Sequence, residues 1–211
     1  MSAPTLRDAP RPASPVDLID RFLACGDVDT CHEVVVRAPA AVVMDVARTF
    51  DMQSIPAVRG IFWLRSFVLH SHERPRPVTG LLAETLEMGW GLLAERPGRE
   101  LVIGAVAQPW LANVRFRAVP PAEFAAFAEP DQVKIVWTIE VVPLRPRETL
   151  LRTRTRALAT DPAAHRKFLD YWRKFGSGSV MIRWLLLPAV RRAAERCQRA
   201  IDAREDRLAH A

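Results

Sequence analysis

The stretch Val133–Pro162, VKIVWTIEVVPLRPRETLLRTRTRALATDP, decides the fold. In its first half Val133, Ile135, Trp137, Ile139 and Val141 alternate with Lys134, Thr138 and Glu140, the period-two pattern of a strand buried on one face. After the turn PLRPRE, Leu151, Thr153, Thr155 and Ala157 take one face and Arg152, Arg154 and Arg156 the other. Pairing Val142 with Leu150 sets Glu140 opposite Arg152 and Trp137 opposite Thr155, so charges meet outside while an aromatic ring meets a hydroxyl inside. Asp161 and Pro162 then read as a helix cap and first helical residue. The stripe Phe168, Tyr171, Trp172, Phe175, Ser179, Ile182, Leu186, Ala189 keeps helical spacing, with a kink expected at Pro188. A hairpin this tight leaves no room for a crossover helix, so the sheet is antiparallel, and the helix after it is the element long enough to cover its apolar face.

Upstream, Trp90, Leu92 and Ala94 alternate before ERPGRE, and Leu101, Ile103, Ala105 and Ala107 alternate after it, a second hairpin. RFRAV reads as a short strand, PPAEFAAF as a helical turn, and the strand texture spans Leu82 to Thr160. Before it, CHEVVVRAP is a strand closed by Pro39, AAVVMDVARTF a helix, and Pro56 to Leu69 a further helix, followed by the loop HSHERPRPVTG. Ser14 and Pro15 open an amphipathic helix with Leu18, Ile19, Phe22 and Leu23 on one face, ending near Gly26. The chain therefore divides into a disordered tail at 1–13, an N-terminal helical appendage at 14–30, an α+β domain at 31–197 in which a curved antiparallel sheet wraps a long C-terminal helix, and a charged, fraying tail at 198–211.

A chain of 211 residues buries about 70% of its unfolded surface and needs no staple. Cys25, Cys31 and Cys197 form no CxxC pair, which fits a reducing, cytoplasmic setting. The longest apolar run, Trp184 to Val190, falls far short of the roughly 20 residues that span a bilayer. The net charge of +6 is mostly arginine scattered among acids, with no basic stripe interleaved with aromatics, so it reads as solvated surface and not as a nucleic-acid site. On that reading Arg154→Ser changes stability by less than about 0.5 kcal/mol.

Few residues carry obvious chemistry. His70, His72 and Glu73 lie close in sequence but lack a third ligand, so no metal or other cofactor is expected, and Cys25, Cys31 and His32 read as core or bystander residues. Tyr171 with Asp170 and Arg183 offers acid–base groups, yet Asp170 and Lys174 form a surface i,i+4 pair and Tyr171 lies on the core stripe. Trp90, Trp110 and Trp137, with Thr153 and Thr155, make apolar walls with a few polar anchors. In FGSGSVMIRW, Phe175–Trp184, each of Gly176 and Gly178 costs about 1 kcal/mol in a helix. Either these small residues leave volume beneath the helix, or they mark close packing or a helix break capped by Ser177 or Ser179.

HEVVVRAPAAVVMDVA, His32–Ala47, resembles the first strand, Pro-Ala step and first helix of the SRPBCC superfamily, which includes START lipid-transfer domains, the birch-pollen allergen family and the polyketide cyclases. The resemblance extends from about His32 to Glu195, and ERPGRELVIG, TRALATD, FLDYW and SVMIR are similar to a bacterial group within it. It implies the helix-grip fold, with a cavity between sheet and C-terminal helix that commonly holds apolar or amphipathic molecules. The expected lining is Trp90, Ile103, Trp110, Trp137, Thr153, Thr155, Tyr171, Phe175, Ser179 and Ile182. The expected function is binding or carriage of a hydrophobic small molecule such as a lipid or polyketide, by a monomer or homodimer. The alternatives are a cyclase- or dehydratase-like enzyme on the same scaffold, and a lipid-transfer protein that docks IRWLLLPAVRR, with Arg183, Arg191 and Arg192, on a membrane surface unless that turn is buried beneath the N-terminal helix.

Overall fold

The computed structural model describes residues 17–51, 54, 55, 60 and 80–210, and for residues 177–183 the backbone alone. Strand β1 (Val28–Val36) passes through Pro39 into helix α1 (Ala40–Thr49). Helix α2 (Leu81–Glu87) leads to β2 (Gly91–Arg96) and β3 (Glu100–Ala107); a helical turn α3 (Pro121–Phe124) precedes the hairpin β4 (Val133–Arg145) and β5 (Glu148–Ala159). Helix α4 (Pro162–Ala209) closes the chain. The strands form one antiparallel sheet in the order β1-β5-β4-β3-β2, and α4 packs on it most closely at β1. This is the α+β helix-grip architecture.

The central hairpin has the register its alternation requires: Val142 faces Leu150, Glu140 faces Arg152 and Trp137 faces Thr155. Asp161 caps α4, accepting hydrogen bonds from the backbone N–H of Ala163 at 2.7 Å and Ala164 at 2.9 Å. With the Asp131 N–H as the strongest of its donors, these bonds hold the Asp161 carboxyl below the usual carboxylate range.

Several expectations are corrected. Residues 81–87 are helical, not strand: the apolar spacing of Leu81 and Leu82 with Thr85 suits a helix whose buried face packs towards α1. A bulge between Leu92 and Ala94 turns Leu93 into the core and leaves Leu92 39% exposed, so the alternation read through Leu92 breaks there. RFRAV contributes only the single bridge Val106–Arg117. Among the described residues of the expected N-terminal helix only one 3-10 turn, Leu18–Arg21, is helical, although Leu18, Ile19, Phe22 and Leu23 are all buried. Ser14, Pro15, the Pro56–Leu69 helix apart from Gly60, and His70, His72 and Glu73 lie outside the described residues. Helix α4 runs unbroken through Gly176–Ser179 and through the charged stretch expected to fray, which removes the helix-break reading, and it continues past Pro188.

The largest correction concerns the outer face of the sheet. The N-terminal turn packs there, with Phe22 edge-on to Phe124 at 6.4 Å and Ile19 and Leu23 in one cluster with Val102, Val106 and Val136. It therefore does not cover the apolar turn of α4: Leu186, Leu187 and Val190 pack instead against α1 and the inner sheet face, while Trp184 points outward, 69% exposed. The three arginines of β5 do face outward as expected, but acidic residues shield them: Arg152 pairs with Glu33 of β1 and Glu140 of β4, and aspartates of β1 and the N-terminal turn cover Arg154 and Arg156. Arg154 forks onto Asp29 at 2.6 and 2.9 Å and reaches Asp17 at 3.1 Å, and Arg156, with a side chain 4% exposed, binds Asp20 and Asp29. Arg154 is thus no solitary surface charge, and with two carboxylate partners Arg154→Ser is expected to cost more than an unpaired surface site would.

Candidate ligand site between sheet and helix

The face of the sheet towards α4 carries two apolar clusters. At one end Phe168 of α4 meets Val28, Val133 and Ala157, with Ile135, Tyr171 and Trp172 alongside. At the other, Leu186, Leu187, Val190 and Ala194 meet Val36, Leu101, Ile139, Val141 and Leu151. Phe168 and Leu186 are separated by roughly 27 Å of helix at 1.5 Å per residue, and Gly176–Ser179 fall in the middle of that span.

On β1 and β5 the sheet is more polar between Phe168 and Leu186 than at either end, although Ile139 and Leu101 of its second row belong to the Leu186 cluster. Strand pairing lays out one row as Thr30, Thr155, Trp137 and Ile103, from β1 through β5 and β4 to β3, and the next as His32, Thr153, Ile139 and Leu101. Thr153 and Thr155 are buried, as is Ile103. The Trp137 indole N–H donates to Thr153 Oγ1 at 2.7 Å, and that hydroxyl donates to the Thr138 carbonyl at 2.8 Å. Thr153 is thereby committed to holding Trp137. Thr153→Val is expected to cost about 1–3 kcal/mol, because the indole N–H loses its acceptor; a change under about 0.5 kcal/mol in urea denaturation would show that Trp137 is held by packing alone.

The expected lining residues do not all converge. Ile103, Trp137, Thr153 and Thr155 are brought together on the inner face. Tyr171 and Phe175 stack at 5.3 Å on α4, beside the Phe168 end. Trp110 sits by that same cluster under the Lys167 ammonium, 5.5 Å from its ring. Trp90 stands apart, stacked on Phe116 at 4.9 Å at the start of β2. The backbone of Ser179 and Ile182 is helical, and their side chains lie outside the described residues. Asp170 is paired with Arg173, and nothing in the structure joins it to Tyr171.

Gly176 has a local reason of its own. A Cβ there would come within 2.7 Å of the Trp172 ring, so the missing side chain lets the indole of the preceding turn lie against the helix. That accounts for one of the four small residues without a ligand.

Among the described side chains, the gap at the Leu186 end is about 20 Å³, bounded by Trp137 and Thr153 from the sheet, Ala47 of α1, Leu81 of α2 and Leu187 and Val190 of α4. A larger chamber, about 90 Å³, lies on the outer face beneath the N-terminal turn, where Glu100, Glu140, Arg152, Arg154 and Asp17 converge. The sequence hid both Thr30 and this chamber, because each depends on β1 and the N-terminal turn meeting strands more than a hundred residues away.

No family model and no curated protein matches the sequence. Among solved structures, the chain is similar to the ZhuI aromatase/cyclase of a Streptomyces species, with 14% identity over 80% of this chain and 94% of that one and a TM-score of 0.27. No helix among the described residues is long and apolar enough to cross a membrane.

Proposed function

We propose that the protein binds and carries an apolar or amphipathic small molecule in the seam between the inner sheet face and the middle of α4, as a member of the SRPBCC superfamily. The observation that supports this reading most is the break in the core. Two apolar clusters, at Phe168 and at Leu186–Ala194, pin α4 to the sheet, and between them the sheet offers threonines, a histidine and a tryptophan where continuous aliphatic packing would be more stable. A ligand site needs roughly 300 Å³ or more, which the gap of about 20 Å³ at the Leu186 end does not supply by itself, so on this reading the molecule lies along the Thr30–Trp137 row of the sheet.

Carriage is favoured over a cyclase-like reaction by the chemistry of the rows. They supply hydroxyls, one indole and the His32 imidazole, and no carboxylate to work with them, whereas acid–base catalysis calls for paired proton donors and acceptors within reach of a substrate.

Native mass spectrometry of the freshly purified full chain tests the proposal. The expected result is a one-to-one adduct of an apolar organic molecule that leaves on denaturation. A bare chain that also fails to bind naphthalene-sized probes would overturn it.

A further inference from the structure

We infer that the molecule bound in this seam carries an oxygen at one end of an apolar body, and that the Thr30 hydroxyl is the group that recognises that oxygen; the inference rests on the ligand seam proposed above. The two central rows have a direction. On β1 and β5 they present Thr30, Thr155, His32 and Thr153, and on β4 and β3 they present Trp137, Ile103, Ile139 and Leu101. The rows on either side are apolar throughout: Val28, Ala157, Ile135 and Ala105 at one flank, and Val34, Leu151 and Val141 at the other. Polarity is therefore confined to one patch under α4, and it falls off across the strands over about 14 Å, three interstrand spacings. A molecule lying across the strands meets hydroxyls at its β1 end and hydrocarbon at its β3 end.

Within the patch the polar groups are not equivalent. Trp137 and Thr153 satisfy each other and the Thr138 carbonyl. Thr155 and His32 each have an interaction partner. Thr30 Oγ1 is sealed from solvent and has no hydrogen-bond partner among the described residues. Buried hydroxyls in that state are uncommon in native proteins. A hydroxyl offers one O–H to donate and lone pairs to accept, so it suits a ligand carbonyl, phenol or alcohol oxygen and is wasted on a plain hydrocarbon. Thr30 stands at the polar end of the row that also contains Thr155, Trp137 and Ile103, where such an oxygen arrives when the apolar body covers the indole.

Two probes of matched shape, α-naphthol and α-methylnaphthalene, titrated calorimetrically into the full chain and into Thr30→Val, test this. The parent is expected to prefer the naphthol by about tenfold, the effect of one buried hydrogen bond. Thr30→Val should erase that preference by weakening the naphthol alone, with methylnaphthalene affinity unchanged and a melting temperature equal to or above the parent's, since a methyl group replaces an unpaired hydroxyl. A preference that survives in Thr30→Val overturns the assignment, showing that the hydroxyl serves a buried water or nothing. Equal loss of both probes also overturns it, by assigning Thr30 to packing. If the parent binds neither probe, the seam itself is not a ligand site, an outcome distinct from the other two.

Discussion

Replacing Arg156 with leucine lowers stability by about 3 kcal/mol. Its side chain is 4% exposed, donates from Nη1 to Asp20 at 2.7 Å and from Nε to Asp29 at 3.1 Å, and also donates to the Leu23 carbonyl. Leucine recovers apolar burial but leaves that carbonyl and two carboxylates without their cation. Removing one partner of a buried pair costs about 3–5 kcal/mol, and the lower end applies because Asp20 and Asp29 still reach water, with side chains 39% and 35% exposed. Urea denaturation measures the loss, and a cycle with Asp20→Asn measures the coupling between the two positions. A change under about 0.5 kcal/mol would mean that the outer face is the solvated surface its scattered charges suggest.

Glu100 makes stability depend on pH in the neutral range. Its side chain is 8% exposed, it stands opposite Glu140 in the register, and Arg96 Nη1 donates to it at 3.1 Å. Burial, and then the Glu140 charge, push its carboxyl from 4.5 up to about 7; Asp17 from the N-terminal turn adds to the rise, and Arg96 and Arg152 oppose it. A group that holds its proton more tightly in the folded state stabilises the fold fully below its unfolded pKa and loses that contribution as pH rises through the folded one. Stability therefore falls between pH 4.5 and about 7 and is level above, by at most about 3 kcal/mol. Glu100→Gln should flatten this slope and exceed the parent in stability at pH 8, as followed by chemical denaturation across the range. Asp29, whose carboxyl the Arg154 hydrogen bond holds below the usual range, acts only at more acidic pH and leaves this window clear. An unchanged slope in Glu100→Gln would place the titrating group elsewhere.

The features readable from the chain are those whose cause is local. The register of β4 and β5 followed from alternation around one turn, and the start of α4 from the Asp161–Pro162 pair. Where alternation was a weaker cue, it misled: Leu93, not Leu92, is buried because a bulge shifts the phase, and the helix Leu81–Glu87 reads as strand because its buried face includes the polar Glu84 and Thr85, which hides the amphipathic pattern. In the candidate site, Ile103, Trp137, Thr153 and Thr155 were legible as inward-facing positions of neighbouring strands. Thr30 was not, since nothing near it in sequence says that β1 lies beside β5. The shielding of Arg154 and Arg156 is equally non-local, as it depends on aspartates from the opposite end of the chain.

That non-local pairing also governs the order of events in folding. Among the described residues strand β1 has β5 as its only strand neighbour, and the Asp29–Arg154 contact between them spans 125 residues. Joining the two ends carries a loop-closure entropy of about 4 kcal/mol for a loop of that length, whereas β2 to β5 can assemble through successive hairpins. On the ribosome β1 leaves the exit tunnel early and waits, with Val34, Val35 and Val36 unpaired, until nearly the whole sheet has followed it. Docking of this first-made strand is thus among the last steps of assembly, and it completes the inner face and the acidic cover of the outer face at once.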